Sequence, residues 1–150
     1  LPSDSQHWNN IKENIPDLGK LGFSGLWLPP ASKAASGVED VGYGTYDLFD
    51  LGEFDQKGTI PTKYGTKDEY LDLINTLHHN NIEVYADIVF NHMMGADETE
   101  TIEADIKAED NHLHNIENNK LLEVWTKFTF PGRQGKYDNY IMDLAQLYGN

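Results

Sequence analysis

The feature that most constrains the fold is an apolar run from Ile82 to Phe90 that ends in polar residues. Its sequence is IEVYADIVF, and its β-branched and aromatic residues predict a strand buried on both faces, as in parallel sheets. One acid, Asp87, lies inside the run, and Asn91 and His92 follow where the apolar residues stop. Polar side chains at the carboxyl end of a parallel strand are typical of binding and catalytic sites in α/β proteins. The stretch therefore predicts an α/β fold with a candidate site at the end of this strand.

The same polar residues also have a purely structural interpretation. A carboxylate buried in a strand costs free energy unless it is paired, so Asp87 could be a core acid that holds a neighbouring loop. Asn91 suits a turn, and an isolated histidine such as His92 is more often a surface residue than a catalytic one. Both interpretations stay open at this point, because a fold does not establish a function.

The residues before this run repeat the order helix then strand. Apolar residues at helical spacing predict a first helix, which Pro16 should kink or restart because it removes a backbone donor. The segment 24–28 predicts a short buried strand, with Trp27 in the core. The capping-box pattern that starts at Thr66 predicts a second helix, which Asn80 and its neighbour end. The first helix takes its spacing from Trp8, Ile11, Ile15 and Leu18. Helix, strand, helix, strand is the repeating order of a parallel α/β fold.

The connection between the two helix–strand pairs, residues 29–65, is far longer than usual. Loops beyond about 12–15 residues are commonly functional. This one is rich in glycine and aromatic residues, and Tyr43 lies between Gly42 and Gly44. A tyrosine with such neighbours can lie flat against a ligand, although a turn with a packed ring is the alternative.

After His92 the pattern changes to alternation. Ile102, Ala104, Ile106 and Ala108 alternate with charged residues, and Phe128 alternates with Phe130. This pattern predicts half-exposed antiparallel strands in a separate insertion. The acids between residues 97 and 110 are interpreted as a solvated face, with cation binding as the alternative.

Charge and hydropathy narrow the classes of partner. The 150 residues include 25 acids and 11 bases, for a formal net charge of −14, so nucleic acid and anionic membrane are not expected partners. No run approaches the roughly 18 apolar residues of a membrane span. There is no cysteine, so disulfide and thiolate chemistry are excluded. The sequence begins with Leu1 and carries no signal peptide, so we expect the natural N-terminus upstream, and the compartment, cytoplasmic or secreted, stays open.

Several long motifs resemble one enzyme family. They are FSGLWLPP from residue 23, the glycine-rich segment VGYGTYDLFDLGEF from residue 41, YADIVFNHMMGAD from residue 85 and WTKFTFPGR from residue 125. Together they resemble the α-amylase family of glycoside hydrolases, and most closely its bacterial liquefying and intracellular members. The resemblance covers about the whole chain.

The resemblance implies a particular architecture. In that family a (β/α)₈ barrel carries a β-rich domain B after its third strand, so residues 1–92 would be the N-terminal part of the barrel, with strands two and three, and residues 93–150 the start of domain B. A barrel takes about 250 residues, so the chain would be an amino-terminal fragment, a partial TIM barrel. A barrel cut after three strands exposes an apolar face, and we expect such a chain to aggregate.

The resemblance also assigns site residues. It implies that Tyr43 stacks on the sugar before the cleaved bond and that His92 hydrogen-bonds the same sugar. Asp87 would order the strand end. Asn91 would be one ligand of a structural calcium ion, although calcium takes about 6–8 oxygens and one amide cannot form the site.

The chemistry implied is endo-hydrolysis of α-1,4 bonds in starch, glycogen and maltooligosaccharides by a retaining mechanism. That mechanism needs a nucleophile and an acid/base about 5–5.5 Å apart. In the family these carboxylates, and a third aspartate, lie on strands four, five and seven, so we expect no catalytic residue in this chain. The alternatives are a carbohydrate-binding remnant without hydrolysis and a truncated fragment without a function of its own.

Overall fold

The computed structural model describes residues 2–144 of the chain. Their α-helices and strands are α1 (His7–Lys20), β1 (Gly25–Leu28), β2 (Lys33–Ala34), β3 (Thr45–Asp47), α2 (Lys67–His79), β4 (Glu83–Ala86), β5 (Glu98–Lys107) and β6 (Asn115–Lys127), and two short 3₁₀ helices span Gly37–Glu39 and Pro131–Arg133. They fold as two compact units. Among the described residues, the first unit consists of residues 2–95 and 130–138, and the second of residues 96–129 and 139–144.

Both predicted helices are present. Helix α1 has no side-chain cap and continues through Pro16 as one element, so the predicted restart there is wrong. One missing backbone donor does not break the helix, whose Trp8 and Ile15 are buried on the core side. Helix α2 begins with the predicted capping box: Glu69 N donates to Thr66 Oγ1, and Thr66 N donates to Glu69 Oε2. These bonds satisfy backbone donors that the first turn of a helix otherwise leaves free.

The two helices cover a parallel pair of strands. Strands β1 and β4 pair in parallel, with Gly25 opposite Glu83 and Leu28 opposite Ala86. A single apolar core lies between the helices and this pair. Its buried residues are Trp8, Ile15, Leu28, Ala31, Tyr64, Tyr70, Leu73, Leu77 and Ile82. The predicted α/β order of the first unit is therefore confirmed.

The prediction that the run 82–90 is buried on both faces is wrong. Strand β4 ends at Ala86, and Phe90 is 80% exposed. Trp27, predicted to be in the core, is 68% exposed, while Leu28 beside it is fully buried. Because successive side chains of a strand point to opposite faces, Leu28 enters the core under the helices and Trp27 lies on the opposite face. No described strand or helix buries that face.

The long connection between β1 and α2 is folded rather than open. Strands β2 and β3 pair antiparallel within it, and two isolated bridges follow, Gln56 with Thr59 and Thr62 with Gly65. Its interior is polar, since the side chains of Lys33, Asp47 and Asp50 are buried.

The second unit contains two antiparallel strands, of which the alternation over residues 102–108 predicted β5 but not β6. Strands β5 and β6 form a hairpin in which Ile102 lies opposite Leu122. Phe128 bridges to Met142, but Phe130 has a left-handed backbone (φ 48°), so the predicted alternation of these two phenylalanines does not form a strand. Residues 130–138, within the segment 93–150 that the resemblance places at the start of domain B, fold with the first unit, and the domain boundary itself stays a prediction. Residues 145–150 of that predicted segment lie outside the described part of the chain.

In residues 2–144 we find no helix whose length and hydropathy would let it span a bilayer.

Candidate functional site

Four residues that sequence analysis singled out lie together in the first unit. The hydroxyl of Tyr43 donates to Asp87 Oδ2 at 2.7 Å, although the two residues are 44 positions apart. His92 Nε2 lies 2.8 Å from the backbone oxygen of Tyr43, and Asn91 Nδ2 lies 3.3 Å from His92 Nδ1. The structure therefore joins Tyr43, Asp87, Asn91 and His92 in one chain of hydrogen bonds.

The hydrogen bonds of His92 define its tautomer. A carbonyl oxygen can only accept, so Nε2 must carry the proton that it shares with Tyr43 O. The unprotonated Nδ1 then accepts from the side-chain amide of Asn91. Both ring nitrogens of His92 are therefore engaged within the chain, and the 3.3 Å bond to Asn91 is the longer of the two.

The backbone around Tyr43 is held by Asp40 and two glycines. Asp40 Oδ1 accepts from the backbone N–H of Gly42 at 2.9 Å and of Gly44 at 3.2 Å. Gly42 has φ +102°, and a Cβ there would lie 2.8 Å from the backbone oxygen of Pro30. These glycines are required by close packing and backbone conformation. Asp40 was not among the predicted site residues, although an aspartate two residues before a glycine is the usual pattern of an aspartate-stabilised turn.

Asp87 occupies a different environment from the one predicted. It follows β4 rather than lying inside the strand, it is half-buried, and its N–H donates to Leu28 O at 3.3 Å. The Tyr43 hydroxyl is the partner that a partly buried carboxylate needs. The hydrogen bond to Asp87 raises the pKa of Tyr43 above its usual value, so the phenol stays protonated and remains a donor.

The four residues present an open surface. Tyr43 is 48% exposed, and Asn91 and His92 are exposed. A cavity of about 430 Å³ lies beside them, but its lining is mostly apolar, and of the four only Asp87 reaches it. An aromatic ring, an imidazole, an amide and a carboxylate on one open surface can bind a polyhydroxylated ligand, with the ring against its apolar face and the polar groups on its hydroxyls.

The described residues do not fit a calcium site. Nowhere in residues 2–144 do three or more histidine, aspartate or glutamate side chains come together in a way that could hold a metal ion. Asn91 supplies one amide oxygen, and calcium takes about 6–8. The acids between residues 97 and 110 lie on the β5–β6 hairpin and the turn that follows β5, where most are exposed, so they form no such cluster either.

Comparisons with known proteins identify the family of the chain. A family model described as "Alpha amylase, catalytic domain" matches residues 3–128. The chain is 44% identical over 140 residues to a glucan 1,4-alpha-maltohexaosidase of Bacillus sp. (strain 707), in an alignment that covers 93% of this chain and 27% of that protein. It is 46% identical over 148 residues to the cytoplasmic alpha-amylase of Escherichia coli (strain K12), which covers 99% of this chain and 30% of that protein.

A further relative is the alpha-amylase of Geobacillus stearothermophilus, 46% identical over 141 residues. The chain spans about 25–30% of the length of these three relatives. Among solved structures, an alternansucrase in complex with isomaltotriose superposes with a TM-score of 0.73 over 91% of this chain and 13% of that one, at 24% identity. That likeness concerns the fold alone, and it supports a TIM-barrel-type α/β fold.

The family model covers both helix–strand pairs, the long connection, the four clustered residues and the β5–β6 hairpin. The resemblance drawn from the sequence motifs is thereby confirmed: this chain belongs to the α-amylase catalytic-domain family.

Proposed function

We propose that this chain is the glucan-binding, N-terminal part of an α-amylase-type enzyme that hydrolyses α-1,4-glucosidic bonds. In this proposal β1 and β4 are the second and third strands of the (β/α)₈ barrel, and the β5–β6 hairpin begins domain B. The observation that carries the proposal is the hydrogen-bonded assembly of Tyr43, Asp87 and His92 at the ends of these strands.

Tyr43 and His92 are the proposed sugar contacts. The half-exposed ring of Tyr43 packs against the apolar C–H face of a glucose unit, and its hydroxyl, held by Asp87, fixes the ring angle. His92 reaches a sugar hydroxyl by exchanging the longer of its two hydrogen bonds, the one to Asn91, for a bond to the substrate. Asp87 acts by orienting Tyr43.

The proposal assigns no bond-breaking role to this chain. Retaining hydrolysis needs two carboxyl groups about 5–5.5 Å apart, one as nucleophile and one as acid/base. Family resemblance assigns them to later barrel strands. A calcium site with Asn91 as one ligand would need further ligands from outside the described residues. No step of the proposal depends on calcium.

The test is the binding of maltoheptaose to the purified chain, measured by isothermal titration calorimetry. We expect saturable binding that Tyr43→Ala weakens about tenfold or more, because an aromatic face contributes roughly that factor to a contact. Tyr43→Phe keeps the ring and should weaken binding less. The matched control is Tyr85→Ala, since Tyr85 is also an exposed tyrosine that donates to a carboxylate, Glu83 at 2.9 Å.

Each result decides between the proposal and an alternative. Equal losses in Tyr43→Ala and Tyr85→Ala would contradict a specific role for Tyr43. No binding by the unmodified, folded chain would favour a fragment without its own function. Release of maltooligosaccharides from starch by the chain alone would contradict the claim that the bond-breaking carboxylates lie elsewhere.

A further inference from the structure

Residues 130–138, here called the strap, return from the second unit to the first. Three of its non-glycine residues, Phe130, Gln134 and Tyr137, have left-handed backbones with φ of 48°, 50° and 78°. Such conformations cost free energy for residues with a Cβ, and they persist where surrounding contacts hold them. The strap is therefore held in place by its contacts.

The buried contact is made by Arg133, which is 4% exposed. Its Nε lies 3.1 Å from Asp47 Oδ2, an ion pair without good hydrogen-bond alignment, and its Nη1 donates to Asp138 Oδ2 at 3.2 Å. The guanidinium carbon lies 4.5 Å from the ring centre of Phe130 and 5.3 Å from that of Phe49. Arg133 thus joins two carboxylates and two rings at one point.

Asp47 connects this point to the candidate site. It is the last residue of β3, and the same oxygen that faces Arg133 also accepts from Gln56 Nε2 at 2.9 Å. At the other end of β3, Thr45 O accepts from Met94 N at 2.7 Å. Strand β3 therefore begins two residues after Tyr43, and its first residue, Thr45, is hydrogen-bonded to Met94, two residues after His92. A shift of Asp47 would thus be passed along β3 to the backbone of both proposed sugar contacts.

A second, exposed contact fixes the other half of the strap. Glu53 accepts from Lys136 and Tyr137 of the strap and from Lys67 at the start of α2. These hydrogen bonds lower the pKa of Glu53 to about 2. The strap is thus attached once through a buried arginine and once through a surface ion pair.

We propose that Arg133 is a positioning residue for the Tyr43–His92 site, and that it acts through Asp47 and strand β3. The claim about ligand binding rests on the proposed function, whereas the claim about the order of β3 does not. Arg133 touches no substrate in this proposal. It sets the loop geometry that Tyr43 and His92 need before a glucan arrives, which lowers the ordering cost of binding.

The central variant is Arg133→Gln in the full chain, studied well below its melting temperature. We expect its dissociation constant for maltoheptaose to rise about tenfold, since a displaced ring loses its stacking contact. Amide hydrogen exchange should accelerate in peptides covering residues 43–49 and stay unchanged in α2. The control is Lys120→Gln, which removes an exposed ion pair with Glu117 and should change neither quantity.

Two further variants separate positioning from plain stabilisation. Asp47→Asn combined with Arg133→Gln removes both charges of the buried pair, so it should bind more tightly than Arg133→Gln alone, which leaves Asp47 unpaired. Arg133→Lys keeps the charge but cannot join both carboxylates, and its dissociation constant should fall between those of the unmodified chain and Arg133→Gln. If Arg133→Gln does not fold, the comparison of Arg133→Lys with the unmodified chain decides.

The outcomes separate this inference from the proposed function. A lower melting temperature with unchanged affinity and unchanged exchange in residues 43–49 would overturn the positioning role. An unmodified chain that binds no maltoheptaose would overturn the proposed function, while hydrogen exchange in Arg133→Gln would still decide whether Arg133 orders β3.

Discussion

Two regions of the first unit reverse the usual relation between regular structure and burial. The connection from residue 29 to residue 65 has only short strands, turns and one 3₁₀ helix, yet Lys33 and Asp50 inside it are fully buried. The parallel pair β1–β4 is regular, yet Trp27 and Tyr85 on it are more than half exposed. The regular strand pair therefore leaves side chains of one face exposed, whereas the less regular connection encloses buried side chains.

The connection is organised around a buried lysine, Lys33. Lys33 Nζ donates to the backbone oxygens of Phe54, Thr59 and Ile60 at 2.6–2.8 Å and lies 3.3 Å from Asp50 Oδ2. Asp50 Oδ1 in turn accepts from backbone N–H groups of the following turn. Burial lowers the pKa of Lys33, and the charge of Asp50 opposes that shift. The chain wraps around this pair because carbonyls and carboxylate replace the water that both charges lost.

The largest expected effect is that of Lys33→Met. It leaves Asp50 buried without its cation, and breaking a buried pair in this way costs about 3–5 kcal/mol of unfolding free energy. Urea denaturation measures the loss. The control is Lys12→Met, whose surface pair with Asp72 should contribute less than about 1 kcal/mol. Equal losses of unfolding free energy in the two variants would mean that the stability of the connection does not depend on the buried Lys33–Asp50 pair.

The apolar core under the sheet should respond almost as strongly. Leu73 of α2 is fully buried, and Leu73→Ala should cost about 3 kcal/mol through lost burial and the cavity left behind. Leu71 lies on the same helix but is exposed, so Leu71→Ala serves as the control and should cost less than about 1 kcal/mol. A small effect at Leu73 would show that the helices are not packed firmly on the sheet.

The surface attachment of the strap should contribute less, and it should depend on pH. Glu53 has a pKa of about 2 in the folded chain against an ordinary value of 4.5, so between these values the unfolded state binds more protons. Its contribution is complete above about pH 4.5 and is lost as the pH falls through about 2. Because the ion pairs lie at the surface, Glu53→Gln should cost about 1 kcal/mol or less at pH 7 and low salt.

Thermal unfolding of Glu53→Gln and the unmodified chain, measured from pH 7 to pH 2, checks this expectation. The difference in stability should shrink as the pH falls and as salt is added. A difference that grows toward acid would contradict the assigned role of Glu53.

The smallest effect on stability is expected on the open face of the sheet. Trp27→Ser removes an exposed ring and should change unfolding free energy by no more than about 0.5 kcal/mol. It should nevertheless reduce self-association in sedimentation velocity, because an exposed apolar face is an aggregation surface. A loss of more than about 2 kcal/mol would instead place Trp27 in the core, as its sequence context predicts.

Local patterns predicted those features that neighbouring residues determine. The capping box at Thr66 and Glu69 located the start of α2, since both residues lie within one helical turn. Alternation located β5, whereas β6 (Asn115–Lys127) was not predicted, since the nearest alternation, that of Phe128 with Phe130, lies after it. The grouping of Tyr43 and His92 came from resemblance to a family, and their roles toward a sugar stay predictions.

Local patterns did not predict the contacts between segments that are distant in the sequence. The run 82–90 is apolar enough for a strand covered on both faces, and nothing within it shows that helices cover only one. Arg133 lies 86 positions from Asp47, and a lone arginine after a proline and a glycine carries no signal of burial. Asp40 was the exception, because its turn left a local pattern that sequence analysis did not use.

The sequence by itself determined the two α-helices, the strands β1, β4 and β5, and the family, because hydrogen-bond caps, side-chain periodicity and long ordered motifs are encoded among near neighbours. Only the tertiary structure decided which side chains are buried and which charges meet. Burial depends on what covers a surface, and an ion pair such as Arg133 with Asp47 forms only when distant segments exclude water from both groups.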